Sequence, residues 1–133
     1  MIRKEEMMDV LLTECPSFQN AWREFQAEWQ EDNIELPIYV ALADFARHII
    51  EKLKSDETKE FPAIFRAIER LHTEGDGYVR EAAIIGILES LQNENLHSLT
   101  TPDQFERYLG PESRRWWDKL NRFWDGDASA LSE

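Results

Sequence analysis

Asp44, His48 and Glu51 are the nearest thing in this sequence to a ligand set. On a helix, positions i, i+4 and i+7 share a face, and an imidazole between two carboxylates is a donor set that a divalent metal can use. Closing such a site needs a ligand from another element, and the spacing identifies none. An imidazole paired locally with an aspartate on a solvated face satisfies the same residues without an ion, and that is the reading adopted. No metal and no cofactor are expected.

The other reactive side chains offer less. Cys15 is the one cysteine, which rules out an internal disulfide and a multi-thiolate metal site. It reads as a buried structural thiol in a reducing compartment. His72 and His97 fall near predicted helix ends, where a positive imidazole suits the helix dipole. Acidic residues number 27, so paired carboxylates for glycoside chemistry can be drawn almost anywhere and carry no signal. Gly75-Asp76-Gly77 lacks the lysine and Ser/Thr of a phosphate-cradling loop and reads as a helix–helix turn. Neither a nucleophile elbow nor a zinc-protease motif is present. The expectation is a protein that is not an enzyme.

Binding chemistry is better represented. With 27 acidic against 15 basic residues the formal charge is −12. Such a surface repels nucleic acid and anionic lipid and draws a basic protein partner. Glu28, Glu31, Asp32 and Glu35 form the densest acidic patch. Near the other end, Arg114 and Arg115 adjoin a tryptophan-rich helix. There Trp116, Leu120 and Phe123 share one face, while Trp117 and Trp124 lie about 100° round from it. One face must enter the core, and Trp117 is placed on the one left open beside the arginines, a residue mixture typical of binding hot spots. Glu28, Glu31, Asp32, Glu35, Arg114, Arg115 and Trp117 are the candidate partner-binding residues.

Helices must position all of this. Residues 4–14 carry Met7, Met8, Leu11 and Leu12 on one side, and Cys15-Pro16 interrupts them. Ser17 is a plausible N-cap for residues 18–31, whose stripe is Phe18, Trp22, Phe25 and Trp29. Pro37 suits the start of a helix running to about Lys54, with Tyr39, Leu42, Ala46, Ile49 and Leu53 as its stripe, widened by Ile38, Phe45 and Ile50. A fourth helix, near 59–73, buries Phe61, Ile64, Phe65, Ile68 and Leu71, and Gly75 can end it in the left-handed conformation. From Ala82 to Leu88 no side chain is polar, so this helix belongs at the centre with others around it. Thr101-Pro102-Asp103-Gln104 has capping-box spacing and predicts a short helix to Leu109, and Gly110-Pro111 opens the last one. No segment alternates with period two. The fold expected is a single all-α domain of six or seven helices over residues 1–126, with a frayed tail at 127–133. No apolar run approaches the roughly 20 residues that span a bilayer. With no signal peptide at its start, the chain reads as cytoplasmic.

Two resemblances add to this. Leu71, Glu74, Asp76, Val79, Arg80 and Ala83 run Leu-x-x-Glu-x-Asp-x-x-Val-Arg-x-x-Ala, which resembles one HEAT-type repeat and implies an antiparallel helix pair at the centre. Glu74 stands where an aspartate is usual, and no second copy is evident. The segment from Tyr108 to Trp124, with Glu14-Cys15-Pro16-Ser17-Phe18 and Asp44-Phe45-Ala46-Arg47-His48, resembles a family of small bacterial helical proteins associated with immunity to secreted toxins. That resemblance implies a non-enzymatic inhibitor that binds and occludes a cognate toxin domain with a basic surface. The alternative is a HEAT-like adaptor holding two proteins together. A metal-dependent enzyme built on Asp44, His48 and Glu51 is the third class.

Overall fold

The apolar stripes become the inner faces of seven α-helices in a computed structural model, which describes residues 1–30 and 35–132. These are α1 (Lys4–Glu14), α2 (Gln19–Gln30), α3 (Ile38–Lys54), α4 (Phe61–Glu74), α5 (Gly77–Glu81), α6 (Glu89–Gln92) and α7 (Pro111–Trp124). A π-helical stretch, Ala82–Leu88, joins α5 to α6, so that residues 77–92 form one continuous central rod. Short 3₁₀ turns fill the links at Pro16–Phe18, Glu94–Leu96, Pro102–Tyr108 and Ala130–Ser132. The fold is all-α, and no described helix is long and apolar enough to cross a membrane.

The rod lies where its composition demands. Ala82, Ala83, Ile84, Gly86, Ile87 and Leu88 are buried, while Ile85 alone in the stretch is exposed. Gly86 lets α3 approach closely, since a Cβ there would stand 2.7 Å from Leu42 Cδ1. Met7, Met8, Leu11 and Leu12 of α1, and Phe61, Ile64, Phe65, Ile68 and Leu71 of α4, are all buried as their spacing requires. In α2 the stripe is buried through Phe25, and Trp29 is half-covered. In α3 Ile38, Leu42, Phe45, Ala46, Ile49 and Ile50 are buried as expected, joined by Ala41. Tyr39 is left 38% exposed, edge-on to Tyr78.

Several local devices differ from those the sequence suggests. Gly75 is extended (φ −76°, ψ 153°) and not left-handed. Glycine is needed there because a Cβ would meet the Leu71 carbonyl at 2.3 Å and Val79 Cγ1 at 2.5 Å. The extended backbone pairs instead with Ile2, which donates to the Glu74 carbonyl (2.7 Å) and accepts from Asp76 N–H (2.9 Å). Asp76 caps α5 by accepting from Val79 N–H, and Arg80 folds back onto the Gly75 carbonyl at 2.8 Å. Thr101 and Gln104 do form the expected box, but the turn they open is 3₁₀. The tail does not run off into solvent: Ala130 is fully buried, and Leu131 packs against the core.

One junction carries unusual weight. Gly110 precedes α7 and has no side chain with which to cap it, so Glu69 of α4 does so from a distance. Its carboxylate accepts from Glu112 N–H, Ser113 N–H and the Ser113 hydroxyl, each at 2.9 Å. Burial pushes this carboxyl up, but the three hydrogen bonds outweigh it and hold the group below its ordinary value. A Cβ at position 110 would stand 2.6 Å from the Glu69 carboxyl carbon.

Candidate functional site

Five of the seven binding candidates fall among the described residues. Glu28 and Glu35 are exposed, and Glu35 pairs with Lys4 at 2.6 Å. Glu31 and Asp32 lie outside the described residues. Trp117 does not stand on an open face as expected: it is 1% exposed and faces the core. The helix turns so that Trp117 and Leu120 go inward and Trp124 and Phe123 outward, at 55% and 38% exposure. A residue beside Ser113, which Glu69 pins against α4, has little choice of face. Arg114 pairs with Glu106 (3.2 Å) and Asp118 (3.5 Å), and Arg115 with Glu112 (2.8 Å) while stacking on Trp116. Both arginines are thus occupied within the chain.

An open groove of about 1240 Å³ lies between the end of the rod, the two turns after it and the outer end of α7. Glu89, Glu94, Asp103, Glu106 and Asp125 line it, and no lysine or arginine does. Among the described residues only Glu106 of these five has a cationic partner, Arg114. Burial raises the pKa of Glu89, which marks a carboxylate with no donor to compensate it. Trp124 forms part of the wall, packed edge-on to Phe123. Two polar atoms at its floor lack hydrogen-bond partners, Gln92 Oε1 and Trp117 Nε1, although Gln92 Nε2 donates to the Trp117 carbonyl at 3.0 Å. His97 braces the turn on one side, hydrogen-bonded to the Leu91 carbonyl and to Thr100 Oγ1.

A second polar focus lies where the α1–α2 corner meets α3 and the start of α4. Ser17 does not cap α2. Its hydroxyl donates to Glu60 Oε1, its N–H reaches Glu60 Oε2 at 3.2 Å, and His48 Nε2 lies 2.8 Å from the same hydroxyl. Because the hydroxyl proton is committed to Glu60, His48 donates, which places the imidazole proton on Nε2. Cys15, fully buried, has Sγ 3.6 Å from Ser17 Oγ and 4.0 Å from Glu60 Oε1. Burial pushes the Cys15 thiol up and the His48 imidazole down. The thiol is therefore no ready nucleophile. Glu60 holds the serine and not the histidine, so the order of a Ser–His–acid relay is broken. Asp44 pairs with Arg47 at 3.0 Å and Glu51 is exposed, so the helix-face set expected around His48 does not form.

His72 is not the solvated cation its position suggests. It is 5% exposed, neither ring nitrogen has a partner, and burial holds its pKa down against the pull of Glu69 and Glu112.

Residues 8–125 match the model of a family described as a domain of unknown function, DUF7674. The chain belongs to that family. Neither a curated protein nor a solved structure matches it. The groove escaped the sequence reading because its acids are spread from position 89 to 125 and no two are adjacent. The Ser17 focus has a faint signal in Cys15-Pro16-Ser17, since a proline breaks the helix there and leaves a corner that can meet other elements.

Proposed function

We propose that this member of the DUF7674 family is a binding protein that offers its acidic groove to a basic protein surface. An immunity-type inhibitor would occlude a toxin domain in this mode. The observation that carries the reading is the groove itself: five carboxylates and an exposed indole with no lysine or arginine among them. Clustered like charges cost folding free energy, and they are relieved when a cationic partner arrives. Trp124 adds what charge alone lacks, a flat face on which an arginine can stack for about 0.5–2 kcal/mol. The net charge of −12 steers the encounter.

The test is a calorimetric titration with an arginine-rich peptide as the stand-in for a basic protein face. Glu89→Gln, Glu94→Gln, Asp103→Asn and Asp125→Asn together should weaken binding at least about tenfold, or about 1.4 kcal/mol. A control with the same change in net charge, made at Glu5, Asp9, Glu24 and Asp56, should bind nearly as the parent does. Equal losses in the two variants would mean that net charge alone attracts the peptide, and the groove reading would fall.

A further inference from the structure

We propose that Cys15, His48 and Glu60 form a binding site for one zinc-type divalent ion, with the Ser17 hydroxyl lying where the ion would sit. One ligand atom from each of the three residues falls within 4.8 Å of the other two. They come from three separate elements: the corner after α1, the middle of α3 and the residue preceding α4. Thiolate, imidazole and carboxylate are the donors zinc accepts, at about 2.3, 2.0–2.1 and 2.0–2.2 Å, and three protein ligands with one open position describe a familiar zinc geometry. The thiol disfavours calcium and magnesium, which take oxygen alone, while the carboxylate disfavours purely soft ions.

Ser17 supplies the independent observation. Its hydroxyl lies 2.8 Å from His48 Nε2, hydrogen-bonds Glu60 Oε1 and stands 3.6 Å from Cys15 Sγ. One small polar atom thus contacts all three donors, as a bound cation would. Ser17 is on the solvent side and Cys15 on the core side, so turning the serine about χ1 opens the position to an ion from outside. Lys52, whose charge reaches both Cys15 and His48, is turned to Glu57 at 2.8 Å. Binding releases the thiol proton to solvent and moves the imidazole proton from Nε2 to Nδ1, leaving a thiolate and a carboxylate to balance the ion's two charges. The ion would clamp the α1–α2 corner to α3 and α4.

The full chain, stripped with a chelator and dialysed, is titrated with Zn²⁺ by calorimetry and with Co²⁺ by absorption spectroscopy. One ion per chain is expected, with a thiolate-to-cobalt charge-transfer band and the strong visible bands of tetrahedral cobalt. Cys15→Ser should abolish the charge-transfer band. His48→Gln and Glu60→Gln should each weaken zinc by at least the roughly tenfold that loss of an outer partner costs at zinc sites. Ser17→Ala should bind as tightly as the parent or more so, because no hydroxyl has to leave. If the buried Cys15→Ser variant misfolds by circular dichroism, the parent's cobalt band and the half-buried Glu60→Gln decide. Absence of the cobalt band overturns the site. So does zinc binding that survives unchanged in His48→Gln and Glu60→Gln, which would place the ions on scattered surface carboxylates. A Ser17→Ala variant that binds more weakly would overturn the role given to the hydroxyl.

Discussion

The same chemical group behaves in opposite ways at two places on this molecule. At the start of α7 the Glu69 carboxylate is half-buried and accepts three hydrogen bonds from Glu112 and Ser113. In the groove, Glu89 is half-buried with nothing to raise its acidity, and Glu94, Asp103 and Asp125 stand exposed around it. A carboxylate surrounded by donors holds helices together, whereas carboxylates surrounded by one another are held apart by the fold. The first kind is structural, and the second leaves room for a cation.

The largest effect should come from removing the donors' acceptor. Glu69→Ala leaves two backbone N–H groups and a hydroxyl without their partner and should cost about 2–3 kcal/mol, combining the loss of a helix cap with unsatisfied polar groups. Gly110→Ala presses a Cβ against the same carboxylate and should cost about 1–2 kcal/mol by displacing it. Both act on one contact, so the double variant should cost clearly less than the sum in urea unfolding. Additive losses would show that the cap and the close approach are unrelated.

Acidification should act on the Glu69 junction next. Glu69 lies below its ordinary 4.5, so the stability it confers is present above that pH and is lost as pH falls through its folded value. His72 is also held below its ordinary 6.5, by burial. The unfolded chain takes up that proton more readily, so stability should already begin to drop as pH falls below 6.5. Unfolding curves measured from pH 8 to pH 4 should show both arms. His72→Leu should shrink the upper arm to the share that His48, also held down by burial, contributes, and leave the lower arm; an upper arm of unchanged size would show that His72 contributes none of it.

Neutralising the groove should do least to stability. Asp103→Asn with Asp125→Asn removes mutual repulsion, so the unfolding midpoint should stay level or rise slightly, and the difference should shrink with added salt. A fall in midpoint would mean that these acids have partners in the fold and are not held for one outside it.

Much of the fold was legible because it rests on periodic burial. The stripes at Met7–Leu12, Phe18–Phe25 and Phe61–Leu71 each fix a helix and its inner face with no knowledge of neighbours. The Ala82–Leu88 run fixes which helix is central. What was not legible depends on distance in the chain. Trp117 and Trp124 are seven residues apart and share a predicted face, yet the tether from Glu69 to Ser113 buries one and leaves the other outside. His48 faces Ser17 and Glu60, which approach it from 31 and 12 positions away, in place of the Asp44 and Glu51 of its own helix. Local spacing names the residues on a helix face but not what that face meets. Gly75 shows this at the smallest scale, since its conformation is set by Ile2 and Val79 and not by a helix-ending rule.

The groove's claim to be the binding surface is tested most directly by mapping an arginine-rich peptide onto isotopically labelled protein by nuclear magnetic resonance. The indole signal of Trp124 and the amides of residues 89–95 and 121–125 should move on titration, and the movement should fade with salt. If the shifts instead collect around Glu28 and Glu35 with Trp124 unmoved, the acidic segment after α2 is the binding surface and the groove is not.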